Sequence, residues 1–215
     1  SNYFINTILI NMKIYNFSAG PAYLPDKVLY ATKKAAIEYK GTGMSVMEMS
    51  HRSEPIVDLF HKTTSRVRKL LDVPSNYHVL WLQGGASMQF AMVPMNLLSK
   101  RSTADYIETG AWSTKAITEC NKVATANVIA SSKKDIFNYI PKEYNQNIES
   151  IYLHITSNNT IYGTQYKVFP KLENSDSSLV ADMSSDIFSR KINVSDFGLI
   201  YAGAQKNMGP AGVTL

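Results

Sequence analysis

The chain has 215 residues, 45% hydrophobic and 18% charged, which is enough to build a packed core and excludes a disordered chain. Its 22 basic and 17 acidic residues leave a net charge of +5, but the basic residues are scattered, which argues against a nucleic-acid-binding surface. No apolar stretch approaches the ~20 residues that cross a bilayer, and the single cysteine, Cys120, excludes an intrachain disulfide and favours a reducing, cytoplasmic compartment.

The start of the chain is predicted to be an N-terminal segment, residues 1–23, ahead of one large domain, residues 24–215. Residues 4–10 are apolar, but the start of the chain lacks the basic region and the cleavage site of a signal peptide. Met12 is a candidate natural start, which would make residues 1–11 non-native, and an ordinary edge strand is the alternative. Residues 16–22 are rich in turn-forming residues and predict a loop.

Apolar residues at helical spacing predict two helices in the first third of the chain. The first begins after Pro25 and ends before Gly41 and Gly43, and the second spans residues 54–71. The residues expected to face inward are Val28, Leu29, Ala35, Ala36 and Tyr39 on the first helix, and Ile56, Leu59, Phe60, Val67, Leu70 and Leu71 on the second.

Strands and helices alternate through the rest of the chain. Strands are expected at residues 78–82, 104–107, 128–129, 151–155, 179–181 and 199–201, and helices at residues 88–98 and 113–122. This alternation predicts an α/β fold in which helices flank a mainly parallel sheet, and such sheets bind ligands at the carboxyl ends of their strands. Residues 211–215 look like the opening of a further buried strand, so we expect the chain to be a fragment or to continue beyond Leu215.

Two polar residues, Lys206 and Asp182, follow two of these strands. A lysine amine in a cationic or apolar setting can hold an aldehyde cofactor as a Schiff base, and an aspartate can keep a ring nitrogen protonated. Gly203 and Ala204 leave room for a bulky group against the backbone. Taken singly, Lys206 could be a solvated turn residue and Asp182 a turn cap. Together they indicate a site for pyridoxal phosphate.

Other residues could complete such a site. Residues 84–87 place glycines between a strand and a helix, where free backbone amides attract phosphate, although a tight turn would use the same residues. Trp112 could stack on a flat ring or belong to the core, and Thr160 could hydrogen-bond a cofactor oxygen or form a turn. His51 and Arg52 could bind an anionic substrate or form a salt bridge at a helix N-terminus. The four histidines show no metal-ligand spacing, so no metal is expected.

In order along the chain, these features resemble the phosphoserine aminotransferases, which are fold-type I, class V enzymes that use pyridoxal phosphate. The match runs from about Tyr15 to Leu215. It rests on the motifs NFSAGPA at residues 16–22, SVMEMSHRS at 45–53, VPSNY at 73–77, QFAMVPMNLL at 89–98, ADY at 104–106 with GAW at 110–112, and IYAGAQKN at 200–207. The resemblance implies the large domain of that fold, with a seven-stranded-type sheet, cut short before the small C-terminal domain.

The resemblance also implies a role for each candidate residue. Lys206 would carry the cofactor as an internal aldimine, and Asp182 would pair with its ring nitrogen. The other cofactor contacts would be Ala86, Ser87, Trp112, Thr160 and Gln205, and the substrate contacts would be Ala19, His51 and Arg52. The loop of residues 18–20, which contains Ala19, would close over the substrate.

The implied reaction is transamination between L-glutamate and 3-phosphohydroxypyruvate, a small phosphorylated 2-oxo acid, giving O-phosphoserine and 2-oxoglutarate in serine biosynthesis. Some bacterial relatives also serve pyridoxine biosynthesis. A cytoplasmic homodimer with shared active sites is expected, with no nucleic-acid or membrane partner. Many bacterial members have an arginine where Ser87 stands, so an aminotransferase of a non-phosphorylated substrate is the first alternative. A catalytically inactive fragment that binds cofactor or dimerises is the second.

Overall fold

The structure, a computed structural model, describes residues 14–215, so the predictions for residues 1–11 and for Met12 lie outside it. Its α-helices within that range are α1 (Asp26–Ile37), α2 (Glu54–Leu71), α3 (Gly85–Leu97) and α4 (Ala111–Cys120), and single 3-10 turns cover Val46–Glu48, Lys133–Asp135 and Val194–Asp196. Its strands are β1 (Thr103–Glu108), β2 (Thr125–Ser131), β3 (Ser150–Thr156), β4 (Asn158–Asn159), β5 (Thr164–Gln165), β6 (Ser178–Asp182) and β7 (Leu199–Tyr201).

The main sheet has five strands in the order β2-β1-β3-β6-β7, and every neighbouring pair is parallel. This confirms the α/β class and the mainly parallel sheet. The remaining strands, β4 and β5, pair with each other in an antiparallel hairpin directly after β3. Because all five sheet strands run the same way, their carboxyl ends open on one edge, where a ligand can bind.

The strand predicted at residues 78–82 is wrong as a continuous element. Only Leu82 pairs, through an antiparallel bridge to Thr214 with two backbone hydrogen bonds of 2.8 Å. Thr214 also bridges Gly203 on its other side, so the segments around Leu82 and Thr214 extend the sheet past β7 into two further strand positions. A strand needs a partner along its whole length, and within residues 14–215 the segment 78–82 has one only at Leu82.

The two faces of the sheet carry different cores because successive strand residues point to opposite sides. One face presents Tyr106, Tyr152, Val180 and Tyr201 to helices α3 and α4. The opposite face presents Ile107, Leu153, Ile155, Leu179 and Ala181, which pack with Val67 and Leu71 of α2. The alternation places Asp182, two residues after Val180, on the face that α3 and α4 cover.

The first two helices bury less than predicted. On α2, Ile56, Val67 and Leu71 are buried, but Leu59, Phe60 and Leu70 are 37%, 44% and 65% exposed. Helix α1 has no buried residue, and of its predicted inward set only Tyr39, beyond the helix end, is buried. The apolar periodicity is real, but no other part of the described chain covers these side chains. None of the helices between residues 14 and 215 combines the length and the apolar character needed to cross a membrane.

Candidate active site

One cavity of about 120 Å³ opens at the carboxyl edge of the sheet. It lies where β3, β6 and the turn after β7 meet the start of α3. Its walls are Gly85, Ala86, Ser87, Phe90, Trp112, Thr156, Asn158, Asp182, Ser184, Ser185, Gln205 and Lys206. Six of the predicted site residues are in this set, and Thr160 joins them through its contact with Lys206.

Lys206 follows β7 in a turn, and its amine lies inside the site. The Nζ atom donates a hydrogen bond of 2.6 Å to Thr160 Oγ1 and lies 5.7 Å from the centre of the Trp112 ring. The N-terminal loop packs against this lysine, because a Cβ on Gly20 would come within 2.9 Å of Lys206 Cγ. Burial lowers the pKa of Lys206, although the charge of Asp182 acts in the opposite direction. A larger fraction of this amine is therefore unprotonated than in a solvated lysine, which favours attack on a carbonyl.

Asp182 ends β6 and is only 5% exposed. Its Oδ1 atom accepts hydrogen bonds from the Ser184 backbone N–H at 2.9 Å and from the Ser184 hydroxyl at 2.6 Å. The Ser184 Oγ in turn accepts a 3.0 Å hydrogen bond from Gly203 N–H, which ties this carboxylate to the turn that carries Lys206. Burial raises the pKa of Asp182 despite these hydrogen bonds. The hydrogen bonds thus do not fully offset the cost of burying this carboxylate anion, and a cation beside it would be stabilised.

The start of α3 supplies backbone amides to the same cavity. Gly84 and Gly85 adopt positive φ angles of 89° and 64°, a conformation that turns the chain sharply into the helix. No side chain caps this helix, so the amides of Ala86 and Ser87 in its first turn are available to an anion. Gln205 lies beside these amides, because both border Gly203. A Cβ atom placed on Gly203 would be 2.7 Å from Gln205 Oε1 and 3.4 Å from the Ala86 nitrogen.

Two buried polar atoms on the cavity wall, Trp112 Nε1 and Thr156 Oγ1, have no hydrogen-bond partner within residues 14–215. Buried polar groups are normally paired, so both are suited to a bound molecule or water. An indole for stacking, a buried carboxylate, a reactive amine and a helix N-terminus together fit a flat, cationic, phosphate-bearing aldehyde. The residues present therefore fit the pyridoxal phosphate that the sequence predicted.

Besides Thr160, three predicted site residues do not line the cavity. His51 and Arg52 are exposed in the turn before α2, and Ala19 is exposed in the loop that packs on Lys206. Their roles toward the substrate stay predictions. No group of three or more His, Cys, Asp or Glu side chains placed to hold a metal ion occurs in the described part of the chain.

The cavity also contains residues that the sequence did not single out as ligand contacts, namely Phe90, Thr156, Asn158, Ser184 and Ser185. Thr156 could have been found, because it pairs with Asp182 in the register of β3 and β6 and strand alternation puts both on one face. Ser184 lies two residues after Asp182. Its hydroxyl bonds directly to the Asp182 carboxylate, so it belongs to the site itself.

The family model for the class-V aminotransferases matches residues 14–215. The phosphoserine aminotransferase of Desulfotalea psychrophila is 55% identical over 205 residues, which cover 94% of this chain and 56% of that protein. A solved phosphoserine aminotransferase, studied for radiation damage of its Schiff base, superimposes with a TM-score of 0.90 at 48% identity, covering 94% of this chain and 56% of its own.

A more distant structure, the phosphoserine aminotransferase of Trichomonas vaginalis with bound pyridoxal phosphate, gives a TM-score of 0.85 at 34% identity, covering 94% of this chain and 57% of its own. The chain thus spans a little over half the length of the relatives it matches. These similarities cover all the motifs and all the cavity residues described above.

Proposed function

The chain belongs to the class-V aminotransferase family, and on that premise we propose that it contributes the cofactor site of a phosphoserine aminotransferase. The reaction would transfer the amino group of L-glutamate to 3-phosphohydroxypyruvate, giving O-phosphoserine for serine biosynthesis. The observation that carries the proposal is the convergence of Lys206 and Asp182 on one cavity beside a helix N-terminus. The names of the relatives and the identity of about half of the aligned positions support it.

The predicted site residues each have a task in this proposal. Pyridoxal phosphate, when bound, supplies an electron sink for the carbon that loses its proton. Lys206 would hold the aldehyde carbon until the amino group of the substrate displaces it, and the freed lysine amine would then accept the substrate proton and return it. Asp182 keeps the proton on the ring nitrogen, Trp112 stacks on the ring and Thr160 bonds its oxygen. The phosphate lies on the amides of Ala86 and Ser87 and near Gln205.

A bound substrate phosphate is normally held by cationic side chains. The family resemblance implies an arginine at the position of Ser87 in many members, and Lys206 is the only cation among the cavity-lining residues that the structure describes. In the proposal His51 and Arg52 bind the phosphate, with Ala19 in the loop that covers the substrate. The absence of a second cation from this cavity wall favours one alternative, an aminotransferase for a non-phosphorylated 2-oxo acid.

Steady-state kinetics of the full-length protein separates these two functions. With glutamate as donor, kcat/KM for 3-phosphohydroxypyruvate should exceed that for hydroxypyruvate about 100-fold, since charged hydrogen bonds to phosphate are strong. Arg52→Ala should lower only the first value, by about tenfold or more, and the exposed Arg101→Ala serves as the control. Equal kcat/KM values for both acceptors would reject the phosphorylated substrate in favour of the alternative.

The protein is further proposed to act as a cytoplasmic homodimer with shared active sites. Its support is a set of exposed apolar side chains around the first two helices, namely Leu29, Tyr30, Ile37, Met47 and Leu70, each 50–76% exposed. An apolar surface of this kind is typical of an interaction site. His51 and Arg52 lie outside their own cavity, in the turn that leads into α2, where a second subunit could meet them.

Sedimentation equilibrium of the full-length protein tests the dimer. We expect twice the subunit mass for the wild type and the single mass for the double variant Ile37→Glu, Met47→Glu, because two charges would have to be buried in the interface. Val168→Glu, at a side chain that is 80% exposed elsewhere, is the matched control and should stay dimeric. A monomeric wild type at micromolar concentration would contradict the proposal.

A further inference from the structure

A second buried carboxylate, Asp186, lies four residues beyond Asp182 and is only 7% exposed. Its Oδ1 atom accepts a short hydrogen bond from the Ser157 hydroxyl, and its Oδ2 atom accepts one of 3.2 Å from Gln165 Nε2. Arg190 Nη2 lies 4.0 Å from the same Oδ2 atom. A buried carboxylate with two hydrogen-bond donors and a guanidinium nearby is stable, but it has no task in the proposed reaction.

The donors to Asp186 flank one structural unit, the β4–β5 hairpin. Ser157 directly precedes β4 and Gln165 ends β5, so the carboxylate joins both legs of the hairpin at its base. Arg190 extends this junction, because its guanidinium also donates to the carbonyls of Tyr166 and Lys167, directly after β5.

A second pair of contacts fixes the same two segments to each other. Asn158 Nδ2 donates to Ser185 Oγ at 2.8 Å, and the Ser185 hydroxyl donates back to the Asn158 carbonyl at 2.8 Å. The Ser157 amide donates to the Asp182 carbonyl at 2.9 Å. The base of the hairpin is therefore held on the loop of residues 182–186 by hydrogen bonds from Ser157 and Asn158 to Asp182, Ser185 and Asp186.

Each of the joined segments carries one of the groups that face the cofactor. The hairpin carries Thr160, whose Oγ1 lies 2.6 Å from the Lys206 amine, and the loop begins with Asp182. These groups would contact two different positions of one rigid ring, so their separation has to be fixed before the ring binds. The hydrogen bonds of Asp186 join the two segments and so restrict the distance between Thr160 and Asp182.

We propose that Asp186 is a positioning residue that clamps the Thr160 hairpin to the Asp182 loop and so sets the spacing of the two cofactor-binding groups. The inference rests on the proposed function. It predicts that the carboxylate acts through hydrogen bonds and local order, and that it touches neither cofactor nor substrate. After burial, which is the main cause, the charge of Asp186 also contributes to the raised pKa of Asp182.

The test compares Asp186→Ala, Asp186→Asn and the exposed control Asp135→Ala in the full-length protein. Asp186→Ala should raise amide hydrogen exchange of residues 158–165 about tenfold and weaken pyridoxal phosphate binding, measured by fluorescence titration, by a similar factor. Exchange in β3 and β6 should change less than twofold. Asp186→Asn keeps an oxygen that accepts from the Ser157 hydroxyl. If the Gln165 amide rotates, the amide introduced at position 186 can also donate to it. The exchange rate of residues 158–165 and the cofactor affinity should therefore both stay within about threefold of wild type.

Three results would overturn the inference: unchanged exchange and affinity in Asp186→Ala, an equal rise of exchange in β3 and β6, or an Asn variant as impaired as the Ala variant. If Asp186→Ala does not fold, Ser157→Ala removes one donor and should give the same local pattern at about threefold. A failure of the proposed function is seen separately, because borohydride would then fail to fix pyridoxal phosphate on Lys206, whereas the exchange pattern of the hairpin would persist without cofactor.

Discussion

Replacing Lys206 with alanine in the full-length protein is expected to lower kcat for transamination by about 10⁴-fold. In the proposed reaction, the variant would lose both the amine that attacks the aldehyde and the group that moves the substrate proton. No other lysine lines the cavity within residues 14–215, so no neighbouring amine can take over. The cofactor should still bind without a covalent bond, since Asp182, Trp112 and the start of α3 are untouched.

Borohydride reduction followed by peptide mapping measures this directly. In the wild type, loaded with pyridoxal phosphate, the label should be on the peptide that contains Lys206, and in the variant no peptide should be labelled. Lys115→Ala is the matched control, because Lys115 Nζ lies 4.6 Å from the same Trp112 ring but outside the set of cavity-lining residues. Labelling of another lysine in the wild type, or near-normal kcat in Lys206→Ala, would reject the assignment of Lys206.

The elements that the sequence predicted well are those with local signals at their ends. Helix α2 spans residues 54–71 as predicted, because Pro55 lies in its first turn and Asp72 ends it in the left-handed conformation, with φ 50°. The segment 78–82 is apolar enough for a strand, but whether it pairs depends on residues more than a hundred positions away, which no local pattern reveals. Likewise, periodicity predicted that Leu70 faces inward and could not show that no segment within residues 14–215 covers it.

In the site, too, the residues with a local sequence signal were predicted and those that depend on distant partners were not. Asp182 and Lys206 were found because both follow buried strands, and in a parallel sheet such positions converge on one edge. Asp186 was missed because its partner Ser157 is 29 residues away and an aspartate within a Ser-rich turn normally faces solvent. His51 and Arg52 matched a family motif, yet the fold of this chain leaves them away from the cavity, since a motif specifies residue types and the path of the chain decides which cavity they meet.

The second large effect is expected at Asp182. Asp182→Asn should lower kcat by about a thousandfold, because the neutral amide cannot stabilise a proton on the ring nitrogen in a buried site. Asn preserves the shape of the side chain and one acceptor for Ser184, so a loss of fold is not the cause. Cofactor affinity should fall by about tenfold, since one charge-assisted hydrogen bond is lost.

The protonation of the ring nitrogen can be observed with ¹⁵N-labelled pyridoxal phosphate bound to the full-length protein. We expect a protonated nitrogen at neutral pH in the wild type and an unprotonated one in Asp182→Asn. Ser184→Ala gives an intermediate test: it removes the 2.6 Å hydrogen bond to Asp182 Oδ1 and should raise the carboxyl pKa further, so the loss of kcat should be smaller, about tenfold. The exposed Asp176→Asn is the control. A protonated nitrogen in Asp182→Asn would show that another group holds the proton, and the carboxylate at the end of β6 would then lose its role in the reaction.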